Sequence, residues 1–286
     1  MTTIGVQRHK LLSPQKVNHL LIHIILISLG LVMTVPFIWM LSSSLKPEVD
    51  IFKMPIEWIP STITWSNYAA LFSERFNFGL FYKNTFIIAS SVTILQLITC
   101  SLAGYAFSKI KFKGRDTIFL CYLGTMMVPF QVTMIPLFII MRILGLVDTQ
   151  LSIILMSAFS AYGVFLLRQF YLTLPIEISE AAMIDGCNHF QIYYRIMLPN
   201  IIPAMSTLIL FTFLGQWNDF IVPFIFLNSP ENFTITIGLK AFVSDYDVEF
   251  GKIMAGTAMS IIPILAIFFA VQKQFIEGVA LSGIKG

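Results

Sequence analysis

Six stretches of this sequence are long and apolar enough to cross a lipid bilayer, and no other feature narrows the possible folds so far. A helix needs about 20 mostly apolar residues to traverse the hydrocarbon core. Runs of that kind occupy residues 18–44, 84–108, 117–142, 151–173, 201–227 and 253–275. Lipid offers the backbone no hydrogen bonds, so such a segment must pair its own N–H and C=O groups, which a helix does. Composition agrees, with 57% hydrophobic and 12% charged residues. That is half the ~25% charge of a soluble domain, and the mean hydropathy is +0.82. The expected fold is all-α, a polytopic membrane protein with six transmembrane helices.

The first run, "LLIHIILISLGLVMTVPFIWML", is too long for a signal h-region and lacks a small-residue cleavage site after it, so it reads as retained. The expected organisation is a cytoplasmic N-terminal segment, 1–16, a first membrane helix, 17–45, an extracytoplasmic loop, 46–83, and a five-helix core, 84–286. The third run carries Pro129 and Pro136, which imply either a break lining a pathway or a simple kink. Cys100, Cys121 and Cys187 are far apart and form no metal or disulfide pattern, so they read as structural thiols. His19, His23 and Tyr105 likewise read as structural. A net charge of +3 is too small and dispersed for nucleic-acid binding.

Lys and Arg set the expected orientation. With both termini in the cytosol, the inner segments hold Arg8, Lys10, Lys16, Lys109, Lys111, Lys113, Arg115, Arg168, Arg195, Lys273 and Lys285. The outer ones hold Lys46, Lys53, Arg75, Lys83, Arg142, Lys240 and Lys252. The inner set is larger, and four of its members crowd the short loop 109–115, where the positive-inside rule weighs most. That cluster reads as a topology determinant, and the chain as a multi-pass protein of the cytoplasmic membrane.

This orientation puts the polar segment "SEAAMIDGCNHFQIYYRIMLPN", Ser179–Asn200, in the cytosol between the fourth and fifth runs. Leu174-Pro175 opens a helix, and Glu177 and Glu180 lie early in it, where the macrodipole favours negative charge. Gly186, following Asp185, suits a left-handed position that ends the helix. Asn188 with Gln191 reads as a capping box opening a second helix. Leu198-Pro199 leads into the fifth run. Ala181 and Ala182 would let another surface approach closely.

The spacing Glu180-Ala181-Ala182, three residues, Gly186, nine residues, Ile196, one residue, Leu198-Pro199 resembles the EAA motif of the membrane subunits of bacterial ABC importers. Cys187 and Asn188 depart mildly from it, at positions where small or hydroxyl residues are common. "VPFQVTMIPLF", "WNDFIVP" and "QFIEGVALSGIKG" extend the similarity, from about Leu41 onward, to the shorter partner of the maltose-type carbohydrate permease pair. The resemblance implies a type I importer permease fold and a coupling loop, 174–200, that docks on an ATP-hydrolysing subunit. Glu180, Ala181, Ala182, Asp185, Gly186, Ile196, Leu198 and Pro199 would form that contact. It also implies a second homologous permease subunit, a dimer of ATPase subunits and an extracytoplasmic sugar-binding protein. The chain has no GxxxxGK[ST] phosphate loop, so ATP and Mg would be used by the partner and no cofactor by this chain.

Within the fifth run, Gln216, Trp217, Asn218 and Asp219 form a polar cluster, and Gln131 adds an amide to the third. Ionisable and amide groups at membrane depth point to a substrate pathway, here suited to sugar hydroxyls. The competing reading is interhelical hydrogen bonding near the outer interface. An enzyme is disfavoured because no nucleophile–base arrangement is present. The alternatives to a carbohydrate importer are an ion-gradient-driven secondary transporter, or an ABC permease for a non-sugar solute. Neither the buried titratable relay nor the internal repeat of a secondary transporter is visible.

Overall fold

The structure is a computed structural model that describes the backbone of residues 14–73, 76–243 and 248–283, and the side chains of 18–73, 76–243 and 248–274. The N-terminal segment's charges Arg8, Lys10 and Lys16, together with Arg75, Lys285 and the tail from Phe275, lie outside the described side chains. Among the described residues there is no strand, only an isolated bridge between Val243 and Val248. The chain is helical and polytopic. Three straight helices are long and apolar enough to cross a membrane: Asn18–Ser44 within α1 (Pro14–Ser44), all of α3 (Phe78–Lys109), and Phe250–Gln274 within α14 (Phe250–Gly283). Three bent pairs, Arg115–Met127 with Phe130–Ile143, Gln150–Met156 with Ala161–Thr173, and His189–Asn200 with Ile202–Trp217 at 78°, bring the count to six when each pair is taken as one span.

Two compact units emerge. One comprises residues up to Tyr68 with Phe250–Ala258. In it, large apolar side chains from Leu20 to Ile38 of α1 are exposed, leaving its circumference to lipid or another chain. Beyond α1 the chain is pinned by polar contacts. Asn67 donates to the carbonyls of Ser44, at 3.0 Å, and Lys46, at 2.8 Å. Glu48 accepts from the backbone N–H groups of Phe250 and Gly251 at 2.7 and 2.9 Å, satisfying the start of α14. Gly251 is required there, because a Cβ would lie 2.6 Å from the Asn67 amide nitrogen. The short α2 (Ser66–Leu71) follows.

The second unit, Ala69–Glu249 with Met259 onward, is organised around α3. The unit's other helices include α4 (Arg115–Gly124), α5 (Phe130–Ile143), α6 (Gln150–Met156), α7 (Ala161–Thr173), α8 (Ile176–Ile184), α9 (His189–Ile192), α10 (Leu198–Asn200), α11 (Ile202–Trp217), α12 (Ile221–Phe226) and α13 (Ile235–Lys240), of which α7 and α11 pack most extensively on α3. Three expected spans prove discontinuous. The run 117–142 breaks at Val128-Pro129 with a bend of 98°, Val128 being forced out of helical geometry by the following proline. Pro136 sits inside α5 without ending it. The run 151–173 bends by 44° between α6 and α7. The run 201–227 is not one helix: α11 ends at Trp217, and α12 begins at Ile221. Asp219 accepts from the Val222 N–H at 3.3 Å and so holds the first turn of α12.

The α6–α7 break shows how the fold tolerates these interruptions. A carbonyl freed in hydrocarbon needs a partner from within the protein. Gln96 of α3 donates to the Ser157 carbonyl at 2.7 Å, and Thr99 to the Ala158 carbonyl at 2.9 Å. The Cys100 thiol reaches the Ser160 carbonyl at 3.5 Å, and Ser160 Oγ caps α7 by accepting from Gly163 N at 3.0 Å. Gln96 Oε1 also accepts from Thr212 of α11 at 2.9 Å. Close approach is possible because Gly163 faces Cys100, where a Cβ would sit 2.8 Å from the sulfur.

At the other end of α3, Asn84 donates to the carbonyls of Glu231, at 2.7 Å, and Phe233, at 3.0 Å. Nearby, the carboxylate of Asp148 accepts from Asn228 N at 2.8 Å, Ser229 N at 2.9 Å and the Ser229 hydroxyl. Asp148 adopts φ +64° to do so. These donors hold its carboxyl down at about 2.

Two outcomes test this architecture. Gln96→Leu leaves the Ser157 carbonyl unpaired and should cost about 1–3 kcal/mol, read as a lowered melting temperature in detergent. Ile98→Val, on an exposed face of the same helix, should change little. For Asp148 the folded pKa lies below the unfolded one, so its stabilisation is present above about pH 4. It is lost as the pH falls toward about 2. Asp148→Asn should lower the melting temperature at neutral pH, and the gap to wild type should close as the pH is taken down through that window.

Candidate functional site: the helix–glycine–helix corner

The polar segment between α7 and α11 is built as two short helices around a glycine. Pro175, in an extended conformation, is the N-cap of α8, one residue before the helical turn the sequence suggested for it. Glu177 sits in the first turn. Helix α8 closes with Asp185 N donating to Ala181 O at 3.0 Å and Cys187 N to Ala182 O at 2.9 Å. Gly186 adopts φ +85°, the left-handed geometry its position implied. A Cβ there would meet nothing within 4 Å, so glycine is needed for backbone conformation rather than for space.

Both capping-box hydrogen bonds are present. Gln191 N donates to Asn188 Oδ1 at 2.9 Å, and Asn188 N donates to Gln191 Oε1 at 2.8 Å. The chain then widens into a π turn over Tyr193–Met197 before α10. Pro199 explains this, since it offers no N–H to the Arg195 carbonyl and crowds it. Single π turns are frequent at functional sites.

Burial divides the motif residues. Glu180, Ala181, Asp185, Gly186 and Pro199 are exposed, while Ile196 and Leu198 are half-buried. Ala182 faces inward, at 6% exposure, and packs into the cluster of Tyr105, Tyr171, Ile192, Tyr193 and Met197. Of the two alanines expected to admit a partner surface, only Ala181 is placed to do so. Glu180 makes no ion pair among the described residues.

Beside these lies a feature the sequence reading passed over. Ile184 is 86% exposed and Phe190 67%, one on each side of Gly186, with Tyr194 at 61%. Large apolar groups at a charged corner are a surface built to be covered. Their signal was available, because neither Ile184 nor Phe190 has a place on the inward faces of helices this short.

Beneath the corner the anchoring is rigid. The Tyr193 hydroxyl is 2.8 Å from Ser101 Oγ of α3, and Tyr105 packs against Tyr193 and Tyr171 with ring centroids 5.5 and 5.9 Å apart. Lys109 donates to the Leu174 carbonyl at 2.5 Å, tying the end of α3 to the start of the corner. Arg168 donates to the Phe107 carbonyl at 3.1 Å and stacks over Phe119 at 4.2 Å.

The second set of candidate residues is dispersed. Trp217 is 1% exposed: its indole donates to the Ser260 carbonyl at 3.0 Å, and its ring stacks on Phe213 and abuts Tyr82 edge-on. It is a packing residue in this structure and presents no free ring face. Asn218 is the exposed C-cap of α11, its amide donating to the Leu214 carbonyl at 2.9 Å, not a residue within the helix. Asp219 is half-buried in the break, and its carbonyl accepts from Thr236 at 2.7 Å. Gln216 carries a buried Oε1 with no hydrogen-bond partner. Gln131 is exposed in the first turn of α5, and among the described residues no hydrogen bond joins it to residues 216–219.

Comparison with known proteins agrees with this architecture. The solved bacterial ABC transporter involved in import of the acidic polysaccharide alginate contains a chain that superposes with a TM-score of 0.80 at 24% identity, covering 94% of this chain and all of that one. That likeness establishes the fold. The arabinooligosaccharides transport system permease protein AraQ of Halalkalibacterium halodurans is 35% identical over 253 residues, 88% of this chain and 91% of the relative. The lactose transport system permease protein LacG of Rhizobium radiobacter is 34% identical over 243 residues, 85% of this chain and 88% of that one. The family model for the binding-protein-dependent transport system inner membrane component matches residues 97–280, the stretch that runs from within α3 through the corner to α14. The chain therefore belongs to the family of binding-protein-dependent transport system inner membrane components.

Proposed function

We propose that this chain is the permease subunit of an ATP-binding cassette importer for a carbohydrate, forming half of the translocation pathway. The observation that carries the reading is the exposed corner: a carboxylate, Glu180, and apolar side chains, Ile184 and Phe190, presented around Gly186 on a rigid base. The chain has no phosphate loop, so the energy enters from outside, and the corner is where an ATP-hydrolysing partner docks. Similarity to permeases named for arabinooligosaccharides and lactose supports a sugar cargo. A second permease subunit and an extracytoplasmic binding protein complete the assembly. In this reading the corner and both termini face the cytosol, which the charge cluster at 109–115 supports.

The mechanism follows from how the corner is anchored. Helix α8 continues from α7, and the π turn with α10 leads into α11. Closure of the ATPase subunits around ATP displaces the corner. Ala182, Ile192 and Met197 are embedded in the core, so the displacement is passed to α7, α11 and α3 instead of being absorbed locally. The bundle then rocks between outward and inward access. At the α11–α12 break, Gln216, Asn218 and Asp219, with Gln131, supply amides and a carboxylate toward the pathway, while Trp217 fixes the break against α14. ATP and Mg act on the partner.

Reconstituted importer with ATPase, second permease and binding protein tests the corner. Gly186→Val should abolish ATP-dependent sugar uptake while membrane insertion persists, since a β-branched residue at positive φ is strongly disfavoured. Gly186→Asn should retain most uptake, because Asn tolerates that geometry and the space is open. Glu180→Lys should weaken ATPase co-purification by about 2–5 kcal/mol. Normal uptake in both Gly186→Val and Glu180→Lys removes the corner from the mechanism.

A second test addresses the pathway. A cysteine at Asn218, with the native cysteines replaced, should react with a membrane-impermeant thiol reagent at a rate that changes when ATP is added. An unreactive site in every nucleotide state assigns the α11–α12 break to packing.

A further inference from the structure

The charged turn after α3 does more than count toward topology, because it stands at the mouth of an apolar groove. The groove, about 480 Å³, is lined by Leu102, Ala103 and Phe107 of α3, Ile118 and Tyr122 of α4, and Phe159 ahead of α7. Its threonine, Thr99, already donates to the Ala158 carbonyl, so apart from the Tyr122 hydroxyl the groove offers carbon. Phe159 is 70% exposed at its edge. The volume is within the ~300–1,000 Å³ range of small-molecule sites.

A second cavity of about 440 Å³ adjoins it, lined by Lys111, Phe112, Gly114, Arg115, Asp116 and Thr117. The two share a wall: Phe107 of the groove packs on Phe112 of the second cavity with ring centroids 6.1 Å apart. Charge at this mouth is unevenly committed. Asp116 is held by Arg115 at 3.0 Å and reached by Arg168 at 3.6 Å. Lys109 is used by the Leu174 carbonyl. Lys111 and Lys113 are exposed and make no ion pair among the described residues. Lys111 lines the second cavity, and Lys113 follows two residues on in the same exposed turn.

Depth identifies the occupant. From Thr99 to Lys109 is ten residues of one α-helix, about 15 Å at 1.5 Å per residue. That is half of the ~30 Å hydrocarbon core, the reach of one leaflet. A soluble anion would find nothing to bind in the apolar part, and a zwitterionic lipid would leave the lysine pair without net compensation. Basic residues immediately beside a membrane helix attract anionic lipid. We infer that the groove and the turn together form a binding site for an anionic phospholipid, an acyl chain lying along Leu102–Phe107 and the phosphate meeting Lys111 and Lys113. The site does not depend on which side of the membrane the turn faces, nor on the docking role of the corner.

The test uses the assembled importer in nanodiscs containing either phosphatidylglycerol or phosphatidylcholine that carries a photoreactive acyl chain, with labelled peptides mapped by mass spectrometry. The phosphatidylglycerol probe should label the α3–α4 groove several-fold more than the phosphatidylcholine probe. Lys111→Gln combined with Lys113→Gln should erase that preference, and the double arginine variant should keep it. Ala103→Phe, which fills the groove, should reduce labelling by both probes. Equal labelling by the two lipids in wild type overturns the inference, as does a preference that survives the glutamine pair. So does groove labelling by neither probe, which would mean that another chain covers it. Excess water-soluble glycerol phosphate should not compete, and full competition would reassign the lysines to a soluble anion. Sugar uptake by the Lys111/Lys113 variants is a separate measurement, and its loss or survival bears on the importer reading alone.

Discussion

A carbonyl released from a helix inside a membrane has to be taken up by the protein itself, and in this chain α3 does that work. It is a long uninterrupted apolar helix at the centre of the larger unit, and its polar residues are spaced to meet interruptions of its neighbours. Gln96, Thr99 and Cys100 receive the carbonyls of Ser157, Ala158 and Ser160, while Asn84 receives those of Glu231 and Phe233. Glycine makes the contact possible at Gly163 and again at Gly104, where a Cβ would stand 3.1 Å from the Arg168 nitrogen. The broken spans are therefore held as defined bends. At the α6–α7 break each of these carbonyls has a named partner, so a different bend there would leave that partner and its carbonyl both unpaired.

The same helix lies beneath the corner. Ser101 meets the Tyr193 hydroxyl just beyond Gln96 and Thr99, and Tyr105 meets Tyr193 and Tyr171 one turn further on. Phe190 packs on Tyr193 with ring centroids 6.0 Å apart, and Tyr193 in turn meets α3, which carries the partners of the α6–α7 break. Gly186 is held by its flanking hydrogen bonds, and Asn188 and Gln191 close the second helix. Two irregular backbone segments lie between the corner and α11: the π turn at Tyr193–Met197 and a 78° bend at Ile201. The origin of the π turn in Pro199 ties an element of the motif to the geometry of the connection.

Most of the corner was legible in the sequence, because its determinants are local. A left-handed glycine, an Asn–Gln capping box and a proline before the next helix each act within four residues. The number of apolar runs was legible for the same reason. The breaks were legible only where proline marked one, at Pro129. No proline or glycine marks Ser157–Ser160, whose stability comes from α3, some sixty residues away in the chain. Asn218 and Asp219 were misplaced together, since an apolar run through 227 conceals a helix end after Trp217, where Asp219 accepts from Val222 N in the first turn of α12. Ala182 was misassigned because the triplet that names the motif does not say which alanine faces inward. Ile184 and Phe190 were passed over because apolar residues attract little notice in so apolar a chain.

Polar groups in this protein fall into those that are answered within the chain and those that are not. Gln96, Asp148 and Trp217 have their partners, and each secures a break or a loop. Gln216 keeps a buried oxygen without a partner, and Glu180, Lys111 and Lys113 stand exposed without ion pairs. A buried group left unpaired costs free energy that folding does not recover, so it persists where something else completes it part of the time. Buried oxygens without a hydrogen-bond partner also remain on Ser42, Ser43, Tyr171, Ser179 and Gln274, so an unpaired group alone does not mark a site. At the α11–α12 break, the corner and the turn after α3, the proposed meeting points with sugar, a partner subunit and lipid, a second feature stands beside it: a helix end, exposed apolar side chains and an apolar groove.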